Sequence, residues 1–512
     1  MTLASWLDPL YGVQEIGAVD RWAIADAGVG SLDLMERAAE GLARCAAELA
    51  GTGRICVAVG AGNNGGDGLA AARILRADGR DVDVMAATAL DELAGDARVN
   101  LERLPGPAPA PVDRERLVDC ALVVDALLGT GCSDAPRGPI AAAIAAINEA
   151  AAPVLACDVP SGVNSSNGEV ADEATRAALT ATFHGSKIGL HVAPGAWHAG
   201  RVNVIDIGIP RGAPPPMIAG LISDRALDLV PRRTRSGSKF SSGDVVVAGG
   251  ARGMCGAPLM SVLGALRSGA GYVQLAVPAA LEGLCSTRVL EAVTRAVPGD
   301  DGAHVAAGVE PVLELADGVG ALVLGPGIGR SAGALEFARA VAAKARTALV
   351  LDADALNAHA GALAALRGRE RATVLTPHAG ELARLLGTDS ADIAAHRLES
   401  AIAAAQLSGA VVVLKGDDSL IAAPEGPVAV SPGATPALAT AGTGDVLAGV
   451  IGALLAKGLG PFEAAAAAVL AHARAGRLAA ARHGVDHTIA TDVIDALPAA
   501  FSGRVQRSAA MI

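Results

Sequence analysis

The stretch 57-VAVGAGNNGGDGLAAARIL-75 decides the fold of the first part of the chain. An apolar run, residues 55–59, leads into Gly60-Ala61-Gly62-Asn63-Asn64-Gly65, and a helix-like pattern, residues 69–75, leads out of it. A strand, a glycine-rich turn and a helix in this order form a phosphate-binding unit of α/β proteins. The stretch therefore predicts an α/β fold, and its G-x-G-x-x-G match suggests an ordinary dinucleotide fingerprint.

The surroundings of this match argue against the ordinary fingerprint. A dehydrogenase also needs an acidic residue about 20 residues further on, at the end of the second strand, to bind the ribose. The corresponding strand, 81-DVDVMAAT-88, has its acids early and an apolar end. The turn also carries Asn63, Asn64 and Asp67, polar groups that a phosphate cradle does not need. We therefore favour a different role for this turn.

Composition limits the class of protein. The chain has 512 residues, of which 52% are hydrophobic and 2% aromatic, so alanine, valine and leucine must build more than one core. The formal net charge of -12 argues against a nucleic-acid-binding protein. The long uncharged run, residues 426–444, contains Pro427, Pro432 and Pro436, which excludes a membrane-spanning helix there.

The cysteines and the first residues concern the location of the protein. Residues 1–8 have neither a basic start nor a long apolar stretch, so we expect no signal peptide. The seven cysteines form no C-x-x-C pair and lie mostly in apolar surroundings, as at Cys56 and Cys157. These features predict reduced thiols in a cytoplasmic protein.

Strand and helix patterns alternate on both sides of a proline-rich stretch, 209-IPRGAPPP-216. In the first half the predicted strands are 55–59, 82–86, 122–125, 154–157 and 202–205, and the predicted helices are 31–49, 69–77 and 140–150. In the second half the predicted strands are 244–248, 272–277, 321–324, 348–352, 373–375 and 411–414, and the predicted helices are 257–266, 381–386, 392–407 and 446–455. This alternation predicts mostly parallel sheets covered by helices. We expect two domains, residues 1–216 and 217–512.

Polar side chains follow three predicted strands of the first half. Asn64 and Asp67 follow one strand, Asp125 ends another, and Asp158 and Ser161 follow the next. Because ligands of parallel sheets bind outside the carboxyl ends of the strands, these side chains could converge in one crevice. Their oxygens suit a hard cation. Each aspartate could alternatively cap the helix that follows it.

Four stretches in the first half resemble the epimerase domain of the NAD(P)H-hydrate repair enzymes. They are NNGGDG (63–68), VDALLGTG (124–131), DVPSGVNSSNG (158–168) and FHGSKIGL (183–190). The resemblance covers residues 10–210 and implies a Rossmann-like parallel-sheet domain. The family's substrate is a nicotinamide cofactor with water added across a ring double bond, and the epimerase interconverts the two stereoisomers.

The resemblance also implies roles for residues. Substrate-binding residues would be Asn63, Asn64, Gly65, Gly66, Asp67, Gly129, Thr130, Gly131, Cys132, Ser133, Asp134, Ala135 and Asp158. Asn64, Asp125 and Ser161 would bind K⁺, and Asp158 would transfer the proton. Lys187 could face a substrate phosphate or could simply be solvated.

In the second half, 439-ATAGTGDVLAGVIGALLAKG-458 is the most informative stretch. Gly442-Thr443-Gly444 directs backbone N–H groups into the start of a predicted helix, which favours an anion. Asp445 could act as a general base toward a substrate hydroxyl, or could cap the helix. The pattern resembles the ribokinase-like superfamily.

Five further stretches narrow this resemblance to the ADP- or ATP-dependent NAD(P)H-hydrate dehydratase domain, over about residues 225–500. They are 239-KFSSGDVVVAGGARGMCGAP-258, 322-LVLGPGIG-329, 351-LDADALN-357, 375-LTPHAGE-381 and 411-VVVLKGDDSLI-421. The family phosphorylates the added hydroxyl and then eliminates phosphate, which restores the normal dinucleotide. A ribokinase-like α/β domain is therefore expected here.

By this resemblance, Ala257, Gly327, His378 and Asp445 would contact the hydrate, and Asp445 would be catalytic. Lys415, Gly416, Asp417, Asp418, Ser419 and Gly444 would hold the adenine nucleotide, which binds with Mg²⁺. Asp417 and Asp418 stand where the family more often has small residues, which puts nucleotide affinity in question. From the residues alone, His378 could have a structural hydrogen-bonding role. Asp352 and Asp354 could place the magnesium–nucleotide complex or only cap a helix.

We therefore expect a bifunctional cytoplasmic enzyme, a homo-oligomer, that epimerises the hydrates of NADH and NADPH and dehydrates the S form with ADP or ATP. It would use K⁺ and Mg²⁺, and it would bind neither nucleic acid nor membrane. A rival reading is a small-metabolite kinase with a regulatory N-terminal half. Another is a non-catalytic binding protein, against which Asn64, Asp125 and Asp158 together speak.

Overall fold

The computed structural model describes residues 3–215 and 218–502, which form two compact units. The first unit contains residues 9–220, and the second contains residues from 221 onward together with 4–8. Each unit has helices packed on a mostly parallel sheet, so the predicted α/β class is confirmed. The predicted domain boundary, between Pro216 and Met217, lies outside the described residues and stays a prediction.

The first part of the chain has nine strands among its described residues. They are β1 (Leu7–Tyr11), β2 (Ile55–Val59), β3 (Val82–Ala86), β4 (Ala110–Pro111), β5 (Leu122–Ala126), β6 (Val154–Cys157), β7 (Leu179–Phe183), β8 (Ser186–Lys187) and β9 (Arg201–Ile205). Seven strands form a parallel sheet in the order β4-β3-β2-β5-β6-β7-β9. Every residue of β2, β5, β6 and β7 is buried, as expected for a parallel sheet covered on both faces.

Seven helices accompany these strands in the described residues. They are α1 (Val13–Ala25), α2 (Ser31–Ala50), α3 (Asn63–Ala77), α4 (Gly95–Arg103), α5 (Arg114–Leu117), α6 (Gly138–Glu149) and α7 (Ala196–Ala199). The sequence prediction started α3 at Leu69, and this was wrong, because the helix already begins at Asn63 after Gly62. The polar run NNGGDG is therefore the first part of a helix, and Asn64 and Asp67 lie on helical turns.

The two faces of this sheet hold separate apolar clusters. Alternate residues of β2 divide between them: Val57 packs with Leu42 and Leu69 on one face, whereas Ala58 packs with Ile144 and Ile147 on the other. Small side chains on both faces compensate for the scarcity of aromatic residues, since alanine lets helices lie close to the strands.

The second part of the chain contains the remaining strands of the described residues. They are β10 (Ala219–Ile222), β11 (Asp244–Ala248), β12 (Tyr272–Pro278), β13 (Val293–Val297), β14 (Gly299–Asp300), β15 (Ala303–His304), β16 (Ala321–Leu324), β17 (Ala348–Leu351), β18 (Thr373–Leu375), β19 (Val411–Leu414), β20 (Leu420–Ala422) and β21 (Val428–Val430). In the second unit the strands run in the order β13-β12-β11-β16-β17-β18-β19-β20-β21. Strands up to β19 are parallel, and β20 and β21 add antiparallel neighbours.

The helices of the second unit are α8 (Gly256–Arg267), α9 (Glu282–Ser286), α10 (Val309–Ala316), α11 (Ala332–Lys344), α12 (Asp354–Asn357), α13 (Ala379–Leu386), α14 (Ser390–Ala395), α15 (Arg397–Ser408), α16 (Thr443–Ala456), α17 (Pro461–His483) and α18 (Ala490–Phe501). The single helix predicted over 392–407 was wrong, because the backbone breaks at His396, where φ is -124° and ψ is 51°. Among the described residues, no helix combines the length and hydropathy needed to cross a membrane.

Each sheet has one topological switch point, where strands on one side are added in one direction along the sheet and strands on the other side in the opposite direction. In the first unit this point lies between β2 and β5, and in the second it lies between β11 and β16. The loops on either side diverge there and leave a crevice at the carboxyl ends of the strands. These two switch points are where the predicted site residues are expected to gather.

Candidate functional sites

A cavity of about 760 Å³ opens at the switch point of the first unit. Most residues predicted to bind substrate there line it: Asn63, Asn64, Asp67, Gly129, Thr130, Gly131, Cys132, Ser133, Asp134, Ala135 and Asp158. Residues that the sequence reasoning missed also line it, namely Asp20, Thr88, Asp96 and His184. Asp20 comes from α1, a helix for which the sequence analysis found no signal.

Gly65 and Gly66, also predicted to bind substrate, are buried and are not among the residues that line the cavity. A Cβ atom at Gly65 would lie 2.0 Å from the Gly60 carbonyl oxygen. A Cβ at Gly66 would lie 2.9 Å from the Met35 Cε. These glycines therefore let α3 pack closely against the preceding turn and α2, and their predicted contact with substrate stays a prediction.

Asp158 and Lys187 form a buried ion pair at the cavity. The Lys187 Nζ donates to Asp158 Oδ1 at 2.5 Å, to Thr182 Oγ1 at 2.9 Å and to the Phe183 carbonyl at 3.0 Å. Lys187 is 1% exposed, so the expectation of a solvated lysine was wrong. Burial would disfavour the ammonium unless its hydrogens were bonded, and these three acceptors satisfy all of them.

The backbone of Asp158 has an uncommon conformation. Its φ is 64°, and the nearby His184, which also lines the cavity, has φ of 62°. Such values are rare for residues other than glycine and persist where the surroundings impose them, often at functional sites. The Asp158 carboxylate is held by Thr182 Oγ1 at 3.0 Å and the Phe183 N–H at 3.2 Å as well as by Lys187.

Asp67 faces the same cavity with a different environment. Among the residues that the structure describes, none gives its carboxyl group a hydrogen bond or an ion pair. Burial is the main cause that raises the pKa of Asp67 well above its usual range, and Asp158 raises it further, while Lys187 lowers it. Burial likewise raises the pKa of Asp20. The cavity therefore holds one carboxylate with a lysine partner and further carboxyl groups without one.

The residues predicted to bind K⁺ meet around one peptide group, that of Leu128. Asn64 Nδ2 donates to the Leu128 carbonyl at 2.8 Å, and the Leu128 N–H donates to Ser161 Oγ at 2.9 Å. Ser161 in turn donates to Asp125 through its hydroxyl at 2.6 Å and its N–H at 2.9 Å. Asp125 is fully buried, and this burial raises its pKa. Carbonyl, amide, hydroxyl and carboxylate oxygens thus converge here.

In the second unit, Asp445 is the third residue of α16, whose N-terminal cap is Gly442. Asp445 therefore does not cap the helix, and the alternative reading of its role was wrong. Gly442 has φ of 93°, which a glycine adopts without strain. The backbone N–H groups at the start of α16 remain directed toward an anion site next to Asp445.

Lys415 connects this helix start to two acids, Asp352 after β17 and Glu381 on α13. Its Nζ lies 3.1 Å from Asp352 Oδ1 and 3.7 Å from Glu381 Oε2, and a Cβ at Gly444 would be 3.3 Å from it. Burial is the main cause that raises the pKa of Asp445 to about 7, followed by Asp352, whereas Lys415 lowers it. A carboxyl group with this pKa can exchange a proton near neutral pH.

The residues predicted to contact the hydrate come from several elements of the second unit. Gly327 follows β16, and a Cβ on it would lie 3.1 Å from the Ala257 Cβ on α8, so these two are neighbours. His378 caps α13: its Nδ1 accepts from the Gly380 N–H at 3.0 Å, and its own N–H donates to Glu381 at 2.9 Å. His378 thus has the structural hydrogen-bonding role, while its half-exposed ring leaves substrate contact open.

The predicted nucleotide loop, residues 415–419, is a tight turn. Ser419 Oγ accepts from the Gly416 N–H at 3.1 Å. Asp418 accepts two hydrogen bonds from Arg397, at 2.9 Å to Nε and 2.6 Å to Nη2, and both side chains are buried. The Asp418 charge is therefore paired with Arg397 within the protein, and the effect of this acid on nucleotide affinity stays a prediction. Asp417 accepts from the Asp418 N–H at 3.0 Å.

Neither aspartate that follows β17 is the cap of α12, because that position belongs to Ala353, with φ of 51°. Asp352 is buried and accepts from Thr376 at 2.7 Å as well as from Lys415. Asp354 accepts from the Gly329 N–H at 3.1 Å and pairs with Arg330. The capping alternative was wrong for both. Of the four described non-glycine residues with positive φ, three lie at the two sites.

Comparison with known proteins finds relatives that match both halves of the chain. A family model described as NAD(P)H-hydrate dehydratase matches residues 245–499, and one described as YjeF-related protein N-terminus matches residues 31–189. The chain is 39% identical to the bifunctional NAD(P)H-hydrate repair enzyme Nnr of Salinibacter ruber, over 96% of this chain and 95% of that protein. The protein of the same name from Moorella thermoacetica is 38% identical, over 94% and 95%.

This chain belongs to the family of bifunctional NAD(P)H-hydrate repair enzymes. It is therefore an enzyme, and the family assignment made from the motifs is confirmed. Among solved structures, the ADP/ATP-dependent NAD(P)H-hydrate dehydratase of Bacillus subtilis, co-crystallised with ATP and Mg²⁺, is 28% identical. It has a TM-score of 0.47 and covers 55% of this chain and 97% of that chain.

Membership of the NAD(P)H-hydrate repair family does not by itself assign the site residues. Glu381 and Thr376, which hold Lys415 and Asp352 in the second unit, had no role in the sequence analysis. Glu381 lies inside the motif LTPHAGE, so its presence in that motif was the sequence signal that could have identified it as a site residue. Asp20 and Asp96 lie outside every quoted motif, and only the fold brings them to the cavity.

Proposed function

We propose that this chain repairs hydrated NADH and NADPH, with the epimerase in the first unit and the dehydratase in the second. The first unit interconverts the R and S hydrates, and the second unit dehydrates the S form at the expense of ADP or ATP. The observation that carries this proposal is that each unit gathers buried polar side chains at the carboxyl ends of its parallel strands. Asp158 serves the first site and Asp445 the second.

In the first site, the cavity would hold the nicotinamide end of the substrate between the α3 start and the loop of residues 129–135. The glycines of this loop let the backbone approach a phosphate. Asp158 is the proton-transfer group, because its carboxylate faces the cavity and Lys187 stabilises its charged form. Because Lys187 already pairs with Asp158, a direct role of Lys187 in binding a substrate phosphate is disfavoured.

The donor set around Leu128 suits K⁺. The buried Asp125 carboxylate is bonded to neutral groups of Ser161 and Leu127, so its charge lacks a cationic partner in the described part of the first unit. Oxygen ligands match a hard cation. Groups of three or more histidine, cysteine or acidic residues able to hold a metal ion do not occur among the described residues. We propose that Asn64, Asp125 and Ser161 hold K⁺, which would neutralise this buried charge.

In the second site, Asp445 would accept the proton of the substrate hydroxyl as that oxygen takes the phosphoryl group. The N–H groups at Gly444 and the start of α16, together with Lys415, would stabilise the transferring phosphate. Residues 415–419 would hold the nucleotide, with Asp417 and Asp418 contributing through the backbone. Mg²⁺ would bind mainly to the nucleotide phosphates, because Asp352 and Asp354 already have cationic partners.

One assay tests the whole proposal. The full-length protein is incubated with both epimers of hydrated NADH, K⁺, Mg²⁺ and either ADP or ATP, and the NADH absorbance is followed together with free phosphate. We expect complete recovery. Asp158→Asn should recover only the S epimer, and replacement of K⁺ by Na⁺ should slow repair of the R epimer alone. Absence of recovery with either nucleotide would contradict the proposal.

The same assay separates the rival functions. A small-metabolite kinase would accumulate a phosphorylated product without releasing phosphate, and a non-catalytic first unit would leave the R epimer untouched. We also propose a cytoplasmic location, which the seven free cysteines support. The expected homo-oligomer stays a prediction that sedimentation of the purified protein tests.

A further inference from the structure

We propose that Asp67 is a second catalytic group of the first site, a carboxylic acid that works on the opposite side of the substrate ring from the Asp158 carboxylate. This inference rests on the epimerase function proposed above. It assigns to Asp67 a proton-transfer role, whereas the motif implied only substrate binding. Three observations carry it: the placement of the two residues, their unequal partners and the chemistry of the hydrated ring.

The fold places the two carboxyl groups on different walls of one cavity. Asp67 lies on α3, which follows β2, and Asp158 directly follows β6. Strand β5 separates β2 from β6, so Asp67 and Asp158 reach the cavity from different elements of the sheet, and the Asp158 charge is close enough to act on Asp67. Both residues line the cavity. The cavity of about 760 Å³ that both residues line has room for a flat ring and a water molecule, and two carboxyl groups on either side of a substrate are the arrangement that an inversion uses.

The two groups have unequal partners. Asp158 receives hydrogen bonds from Lys187, Thr182 and Phe183, which stabilise its anionic form. Asp67 receives none from the described residues, and it is 9% exposed.

The charged groups that face Asp67 come from four elements. They are Asp158, Lys187, Asp20 and Asp96, of which only Lys187 favours the anion. Burial and the three acids raise the pKa of Asp67, which favours its protonated form. An acid and a base thus coexist in one cavity.

The hydrated ring needs such a pair. Water adds to an enamine with its hydroxyl on the carbon next to nitrogen, so loss of that hydroxyl is assisted by the nitrogen lone pair. Asp67 donates its proton to the hydroxyl, the C–O bond breaks with its electron pair leaving on water, and a C=N⁺ bond forms.

A water molecule on the other face then adds to this carbon and returns the C=N electron pair to nitrogen, and Asp158 takes the proton of that water. The product is the other epimer, with Asp67 now anionic and Asp158 protonated. Exchange with solvent through the open cavity restores both groups, and no oxidant or reductant is needed. The reverse direction uses the same two groups with their roles exchanged.

The first test uses the full-length protein and the purified R hydrate, with the S hydrate measured by chromatography. Asp67→Asn should lower kcat about 10²- to 10³-fold and change KM less than about threefold, because the amide keeps the shape but cannot donate an acidic proton. Asp78→Asn, on the exposed end of the same helix, is the matched control and should match the wild type. Dehydration of the S hydrate by each variant reports that the rest of the chain is intact.

A result in which Asp67→Asn raises KM and leaves kcat unchanged would show that Asp67 only binds, and would overturn the inference. The proposed epimerase function would survive that result, since it fails only when the wild type does not interconvert the epimers. Asp67→Glu keeps the acid on a longer stem and should retain more activity than Asp67→Asn.

The second test needs no variant. In water enriched in ¹⁸O, the wild type should incorporate one labelled oxygen atom into each molecule that changes epimer, because the original hydroxyl leaves as water. Epimerisation with retention of the original oxygen would overturn the mechanism. The wild-type rate should also fall at high pH, as Asp67 loses its proton, and this high-pH fall should be absent from the residual activity of Asp67→Asn.

Discussion

Both sites lie at the carboxyl ends of parallel strands, but they distribute their positive charge differently. In the first unit, Lys187 is buried and bonds to a single carboxylate, that of Asp158, which is 13% exposed at the cavity. In the second unit, Lys415 lies between Asp352 and Glu381, and the catalytic candidate Asp445 is farther from it. An aspartate is therefore held directly by a lysine in one site, whereas in the other the pKa of Asp445 is raised to about 7.

This difference teaches that burial alone does not set the charge of a catalytic carboxyl group. Asp158 and Asp445 are both largely shielded from solvent, yet only Asp158 has a cation in hydrogen-bond contact. Burial first, and then the nearby acid Asp352, raise the pKa of Asp445 to about 7, while Lys415, which Asp352 and Glu381 share, lowers it. A base whose pKa lies near neutral pH, such as Asp445, suits proton abstraction from a hydroxyl. A carboxylate held by a lysine, such as Asp158, suits a site in which a neighbouring carboxyl group acts as the acid.

The largest expected effect is the loss of the second site. Asp445→Asn should lower the dehydration rate of the S hydrate by about 10³-fold, because the general base is removed while the shape is kept. Epimerisation by the same variant should be unchanged. Asp495→Asn, an exposed residue paired with Arg267, is the control and should behave as the wild type. A loss of both activities in Asp445→Asn would contradict the independence of the two sites.

The buried pair of the first site predicts a large effect on stability. Lys187→Met should destabilise the first unit by about 3–5 kcal/mol, because it leaves Asp158 as an unpaired buried charge. Urea unfolding followed by circular dichroism measures this change. The double variant Lys187→Met/Asp158→Asn should recover part of the loss, since no uncompensated charge remains. Additive losses in the double variant would show that the two residues are not coupled.

A smaller effect is expected at the nucleotide loop of the second unit. Asp418→Asn should destabilise that unit by about 2–4 kcal/mol, because Arg397 is buried and would lose its charged partner. Asp417→Asn, one residue earlier, should change the unfolding free energy by less than about 0.5 kcal/mol. Equal losses of unfolding free energy in the two variants would contradict the inference that the buried Asp418 stabilises the unit more than the exposed Asp417 does.

The smallest effect concerns pH. Because Asp445 must be deprotonated to act as a base and its pKa is raised to about 7, kcat/KM for dehydration should fall about tenfold for each pH unit below 7 and level off above it. The measurement is the initial rate with the S hydrate at low concentration across this range. A rate that is constant from pH 5 to 8 would contradict the assignment of Asp445.

Local patterns were enough to predict most elements of the fold. The strands 55–59, 82–86, 154–157, 244–248 and 411–414 have the predicted bounds because uninterrupted apolar runs between turn residues are typical of buried parallel strands. The start of α3 was missed because NNGGDG has poor helix propensity. Tertiary packing overrides that propensity, since the glycines of this helix approach Gly60 and Met35 too closely for any side chain.

The sequence by itself determined the two α/β units, the strand ends that carry the polar residues and, through its motifs, the family. These features depend on neighbours a few residues apart, which periodicity and turn residues report. Only the tertiary structure decided which acids have a lysine partner. Lys187 meets Asp158 across 29 positions, and Lys415 meets Asp352 across 63. The charge state of a buried carboxyl group depends on the groups that lie around it in space, and local sequence patterns do not contain that distance.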